Sequence, residues 1–212
     1  MKKIILSLVV FASVLTACKG EKKETVKTEE EKVVDVNVGE LDNVNTAVSV
    51  LNWEGTKPTG AHNGTVALQT GGLLINEGNL VGGEFIIDMS TITNKDLEGT
   101  EGAGKLEGHL KSADFFDIET YPTSRFVITN AEKTATGYNV TGNLRIKDVT
   151  KSITIPAMVT TEGGVTTFKS ETFNINRADF NVKYGSKSFF DDLQDKFIDD
   201  LIAMSFEIKT KA

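Results

Sequence analysis

Along Tyr138 to Lys147, the residues Tyr138, Val140, Leu144 and Ile146 fall on one side, and Asn139, Thr141, Asn143, Arg145 and Lys147 on the other. A side-chain period of two is that of a strand with one face on a core and one in water. Ile153, Ile155, Ala157 and Val159 repeat the pattern after a turn at Asp148 to Lys151, and Phe126 and Ile128 carry it before, so three consecutive antiparallel strands are predicted. Val66 and Leu68, then Val81, Phe85, Ile87 and Met89, predict two earlier strands, joined through turn signals at Gly71-Gly72 and Asn76 to Asn79. Val165 to Ile175 predicts another, changing parity near Ser170 as a bulge would make it, and Ile202 to Ile208 one more. With Thr46 to Gly55 in front the count is about eight, and many short strands at this spacing argue for a sandwich or a closed barrel.

Two segments depart from the alternation. In Ala103 to Ser112, Leu106 and Leu110 stand four apart, which predicts a short helix with one apolar stripe. Leu193, Phe197 and Ile198 predict a second over Asp191 to Ile198. The fold class is therefore all-β with one or two short capping helices.

The N-terminus follows other rules. Lys2 and Lys3 precede an apolar run from Ile4 to Leu15, too short for a spanning helix of ~20 residues, so residues 1–17 are predicted to be an export signal. Leu15-Thr16-Ala17-Cys18 resembles the bacterial lipobox, whose cysteine is lipidated and becomes the first residue after cleavage. Cys18 is the only cysteine in the chain, so export cannot be serving a disulfide framework. The resemblance implies a lipoprotein held to a membrane of the bacterial envelope, on the periplasmic side or the cell surface. From Lys19 to about Glu40 the chain is dense in Lys and Glu and too poor in large apolar side chains to offset its ordering entropy. Residues 18–44 are accordingly predicted to be a disordered, charged tether, and residues 45–212 the folded domain.

Formal net charge is −7, with no basic cluster beyond the tether, which argues against nucleic acid as a partner. Two histidines and one cysteine cannot assemble a zinc site of the usual kind. Gly99 to Lys105 satisfies G-x-x-x-x-G-K, but Leu106 stands where a phosphate loop needs Ser or Thr, and a polar TNKDLE precedes it where a buried strand belongs. Asp191, Asp192, Asp195, Asp199 and Asp200 lack the spacing and central glycine of a calcium loop and read as a solvated face. Neither an enzyme nor a required metal or cofactor is expected.

The segment Gly104-Lys105-Leu106-Glu107-Gly108-His109-Leu110-Lys111-Ser112-Ala113-Asp114-Phe115-Phe116-Asp117, followed by Tyr121-Pro122-Thr123 and Phe126, resembles the YceI-like family, in which these features recur in this order. Trp53-Glu54-Gly55-Thr56-Lys57 and Gly60 to Gly64 upstream, and Gly142 to Lys151 downstream, extend the resemblance over roughly Thr46 to Ile208. It implies an exported, eight-stranded antiparallel barrel of lipocalin-like form. A helix would cover one end, and an apolar channel would hold a polyisoprenoid, a quinone-like lipid or a fatty-acid derivative.

An eight-stranded barrel is just wide enough either to fill with side chains or to hold one slender ligand. The positions facing inward by parity, and so expected to line such a channel, are Phe85, Ile87, Phe126, Ile128, Leu144, Ile146, Ile153, Ile155, Phe173, Phe206 and Ile208. His109, Leu110, Phe115 and Phe116 are the expected lid or head-group contacts. The alternative is a filled barrel without a ligand, serving as an envelope stress-response or interaction module. Pairing of two copies into a homodimer stays open.

Overall fold

The computed structural model describes residues 24–33 and 41–212. Eleven strands and one α-helix occur among them: β1 (Glu24–Thr25), β2 (Thr28–Glu29), β3 (Val50–Lys57), β4 (Gly60–Asn76), β5 (Asn79–Asn94), α1 (Glu101–Lys111), β6 (Thr123–Lys133), β7 (Tyr138–Ile146), β8 (Val149–Glu162), β9 (Val165–Ser170), β10 (Phe173–Asn176) and β11 (Leu201–Lys209). From β3 to β9 each strand pairs antiparallel with the next, β9 pairs with β11, and β11 returns to β3. Eight strands thus close into a barrel, which leaves this circuit without a free edge.

The alternating apolar residues point into the barrel as period two requires. Val81 does not: Leu74 pairs with Gly82 and Ile75 with Leu80, so Val81 is the extra residue of a bulge and turns outward while Leu80 is buried. Gly71-Gly72 is not a turn either. Both lie inside β4, where a Cβ on Gly71 would meet the Glu84 carbonyl at 2.9 Å and one on Gly72 would meet Leu41 at 2.3 Å, so these glycines serve close approach of neighbouring chain. The parity change near Ser170 is a break at Glu171-Thr172 that separates β9 from β10.

Two further expectations are corrected. Asp191 to Ile198 holds only a three-residue 3-10 turn, Gln194–Lys196, and otherwise runs as loop. Ile198 packs on the core, and Lys187 sits 3.3 Å from the centroid of Phe197, so the two apolar residues answer to different neighbours and not to one helix face. Part of the expected tether is ordered structure: β1 pairs parallel with β10, β2 pairs antiparallel with β8, and Val26 is buried in the core. Backbone hydrogen bonds offered by two wall strands hold a segment whose composition would not order it alone. The export signal and Cys18 lie outside the described residues.

One end of the barrel is closed. Phe168 stacks on Phe85 with centroids 5.8 Å apart and packs tilted against Phe206 at 4.7 Å, and Val44, 1% exposed, is held there by Val44 N–H donating to the Gly71 carbonyl.

Candidate binding cavity

At the opposite end, where β3, β5 and β7 finish, the barrel opens into a cavity of about 560 Å³. Its wall is apolar, with Trp53, Val66, Met89, Ile92 and Met204 from the strands and Leu106 and Leu110 from α1. Charged and polar groups gather at the mouth: Lys57, His62, His109, Tyr184, Asp195 and Lys196. A second, wholly apolar space of about 80 Å³ lies among the aromatic side chains of the closed half.

Of the eleven positions expected to line a channel, Ile87 and Leu144 border both spaces and Ile146 the upper one. Phe85, Phe126, Ile153, Ile155, Phe173, Phe206 and Ile208 border the lower one. Ile128 borders neither; it is fully buried, with its tip beside Gly83. His109, Leu110, Phe115 and Phe116 all line the upper cavity. The strand parity therefore finds the interior, while most of the open cavity is lined by residues it does not single out. Met89 and Val66 lie on strands that the alternation does predict, but Arg177 opens a 3-10 turn and Tyr184 and Ile198 come from loops, where no strand period marks them.

The helix is placed by its own chemistry. Glu107 Oε1 accepts from the Asn94 N–H at 2.8 Å, which ties α1 to the end of β5 with its leucines over the cavity. Past the helix, Phe115 and Phe116 meet edge to face at 5.1 Å, and the His109 ring packs edge-on to Tyr184 at 4.5 Å and to Phe115 at 5.9 Å. His109 thus joins α1 to the loop after β10 across the mouth.

That loop is organised by Arg177, which is 1% exposed. A buried guanidinium needs its donors satisfied. Here they go to the carbonyls of Val182 at 2.7 Å, Ile198 at 2.9 Å and Asp199 at 3.1 Å, with Asp200 at 3.3 Å as counter-ion and the Phe115 ring 5.3 Å below. Burial pulls the Arg177 pKa down, against the opposing pull of Asp200 and Asp199. Two members of the acidic cluster are therefore structural: Asp199 accepts from Thr56, and Asp200 from Ser188 at 2.6 Å. No group of three or more His, Cys, Asp or Glu able to hold a metal occurs among the described residues.

On the other side of the mouth, Asp96 fastens β4 to the end of β5. Its carboxylate accepts from the Asn63 N–H at 2.9 Å and the Asn94 amide at 2.6 Å, and lies 2.8 Å from His62 Nδ1. Burial raises the Asp96 pKa, but these hydrogen bonds and the His62 charge outweigh it and bring the carboxyl down to about 2.

Residues 39–210 match the YceI-like domain. The chain belongs to the YceI-like family. Among relatives of this YceI-like chain, a UPF0312 protein of Yersinia enterocolitica is 34% identical over 99 residues, 44% of this chain and 51% of that protein. A UPF0312 protein of Pseudomonas putida is 38% identical over 84 residues, 35% of this chain and 42% of that protein. The chain thus spans about half the length of the relatives it matches by sequence.

In fold, it resembles BcnA of Burkholderia cenocepacia, with a TM-score of 0.64 at 22% identity over 80% of this chain and 100% of the other. It also resembles a polyisoprenoid binding domain from Saccharophagus degradans, with a TM-score of 0.58 at 15% identity over 80% and 97%.

Proposed function

We propose that this YceI-like chain is exported, anchored through a lipid on Cys18, and holds one long-chain amphiphilic lipid in the open half of its barrel for sequestration or transport. The guest would be a polyisoprenoid, an isoprenoid quinone or a fatty-acid derivative. The observation that carries the reading is the 560 Å³ cavity, apolar along its strand and helix wall, with its charged groups at the mouth and in the loop pinned by Arg177. That size falls within the roughly 300–1,000 Å³ typical of small-molecule sites. An aliphatic chain buried there gains ~0.8 kcal/mol per methylene, while a polar head meets His62, Lys57 and Lys196. The chemistry is burial, with no bond made or broken.

The polyisoprenoid-binding description of the Saccharophagus domain supports an isoprenoid guest. Anchoring rests on Leu15-Thr16-Ala17-Cys18, since two or more acyl chains hold a protein to a bilayer stably. A filled barrel without a guest fits the closed half and not the open one.

The test uses the Cys18→Ser chain, which should leave the membrane fraction. Solvent extraction followed by mass spectrometry should recover a long-chain lipid. Added isoprenoid alcohol at a hundred times its Kd should raise stability by about 2.7 kcal/mol. No recovered lipid together with an unchanged Tm overturns the binding reading.

A further inference from the structure

The barrel wall has a seam. β8 pairs with β9 only from Ala157 onward, and β10 has β11 as its single neighbour among the eight barrel strands, so β8 and β10 stand apart between the closed end and the mouth. Residues 24–33 fill this gap. Glu24 and Thr25 lie opposite Phe173 and Asn174, and Thr28 and Glu29 opposite Ile153 and Ser152. Directly behind the segment are Ile153 and Phe173, which line the lower space, and Ile175, which borders both the lower space and the open cavity.

The attachment is slight. There are two residue pairs on each side, parallel on one of them, whereas β7 pairs with β8 along its whole length. Val26, 7% exposed, is the side chain that the segment buries, and Val33 at its far end is 84% exposed. The remaining grip is polar. Asn143 donates to the Lys32 carbonyl at 2.7 Å and accepts from the Lys32 N–H at 3.0 Å, Thr28 donates to Asp179 at 2.7 Å, the Val26 N–H donates to the Asn174 carbonyl at 3.0 Å, and Lys151 donates to the exposed Glu30 carboxylate at 2.9 Å.

The barrel face beneath the segment is polar as well. Asn143 and Ser152 are buried there, and the Ser152 hydroxyl has no hydrogen-bond partner. Water can satisfy these groups once they are uncovered, so the cost of detachment is confined to the burial of Val26 and of the few apolar side chains directly behind it, Ile153, Phe173 and Ile175. β8 and β10 stay in place through β7 and β11. Segments held this weakly open locally well below the free energy of global unfolding.

We propose that residues 24–33 are a detachable stave, a side gate through which the long-chain guest enters and leaves. The guest half of this statement rests on the lipid-binding reading. Entry by the mouth would require the guest to thread lengthwise past α1 and the loop pinned by Arg177, whereas the seam admits it broadside.

The test starts from the Cys18→Ser chain, so that introduced thiols are the only ones. Thr25→Cys with Asn174→Cys places two thiols opposite each other in the sheet, within the roughly 4.4–6.8 Å Cα separation a disulfide spans. Oxidation should slow release of a fluorescent long-chain alcohol at least tenfold, and reduction should restore it. An unchanged release rate in the oxidised form overturns the gate.

A guest-free readout is labelling of Ile153→Cys by a water-soluble maleimide, which a further Val26→Asp should accelerate about tenfold. Labelling indifferent to Val26→Asp overturns the detachable stave whatever lipids do. Labelling that responds, in a chain to which no lipid binds, supports the stave and refutes the lipid reading.

Discussion

At the closed end, Phe168 is wedged between Phe85 and Phe206 and leaves about 80 Å³ free, whereas at the mouth Trp53, Met89, Ile92 and Met204 surround about 560 Å³. Both halves come from the same strands with the same inward period, so the alternation decides only which residues face inside. Whether the interior fills is decided by side-chain volume and by what spans the end. Three packed aromatic rings consume the space at one end, while at the other a helix and a loop braced by a buried arginine roof a space they do not enter.

The largest effect that tests this contrast is Phe168→Ala. Its removal from a filled half should cost about 3–5 kcal/mol in urea unfolding, with lipid binding by the remaining folded protein retained. A cost below about 1 kcal/mol would show that the closed half is not tightly packed.

Met89→Trp adds volume at the open end and should do the reverse. Lipid uptake, measured by titration, should fall at least tenfold, with stability changed by less than about 1 kcal/mol because the ring occupies free space. A marked loss of stability instead would mean that the mouth is packed like a core.

The smallest effect concerns the rim. The Asp96 carboxyl titrates at about 2 in the folded chain against its ordinary 3.8. Between those values the unfolded chain binds more protons, so stability falls as pH drops through this window and is fully present above it. Asp96→Asn should flatten that part of the stability profile in denaturant titrations between about pH 5 and 2, and an unaltered slope would remove Asp96 from the rim's acid response.

The strands were legible because period two survives in Tyr138 to Ile146 and Ile153 to Ala157, where each inward position apart from Gly142 is apolar. Reading failed where the backbone departs from even spacing. Val81 follows the parity of Phe85 in the sequence, but the bulge resets the count between them. Gly71-Gly72 looks like a turn because a glycine pair carries no sign of the neighbouring chain that presses on it.

The cavity was only half legible. Tyr184 and Ile198 reach the mouth through a loop fixed by Arg177, and nothing in local sequence announces that the carbonyls of Val182, Ile198 and Asp199 will converge on one guanidinium. The strand pairing of residues 24–29, within the expected tether, escaped the sequence for a related reason. Composition reports what a segment can bury, not which unpaired backbone groups a distant wall will offer it.

The partners of Glu24 to Glu29 lie in β8 and β10, near the far end of the chain. A stretch synthesised before both of its partners therefore cannot take its position until they have emerged, and contacts so remote in sequence form slowly. Trimming the polypeptide back to where its composition turns apolar would yield a vessel with a slot down its side.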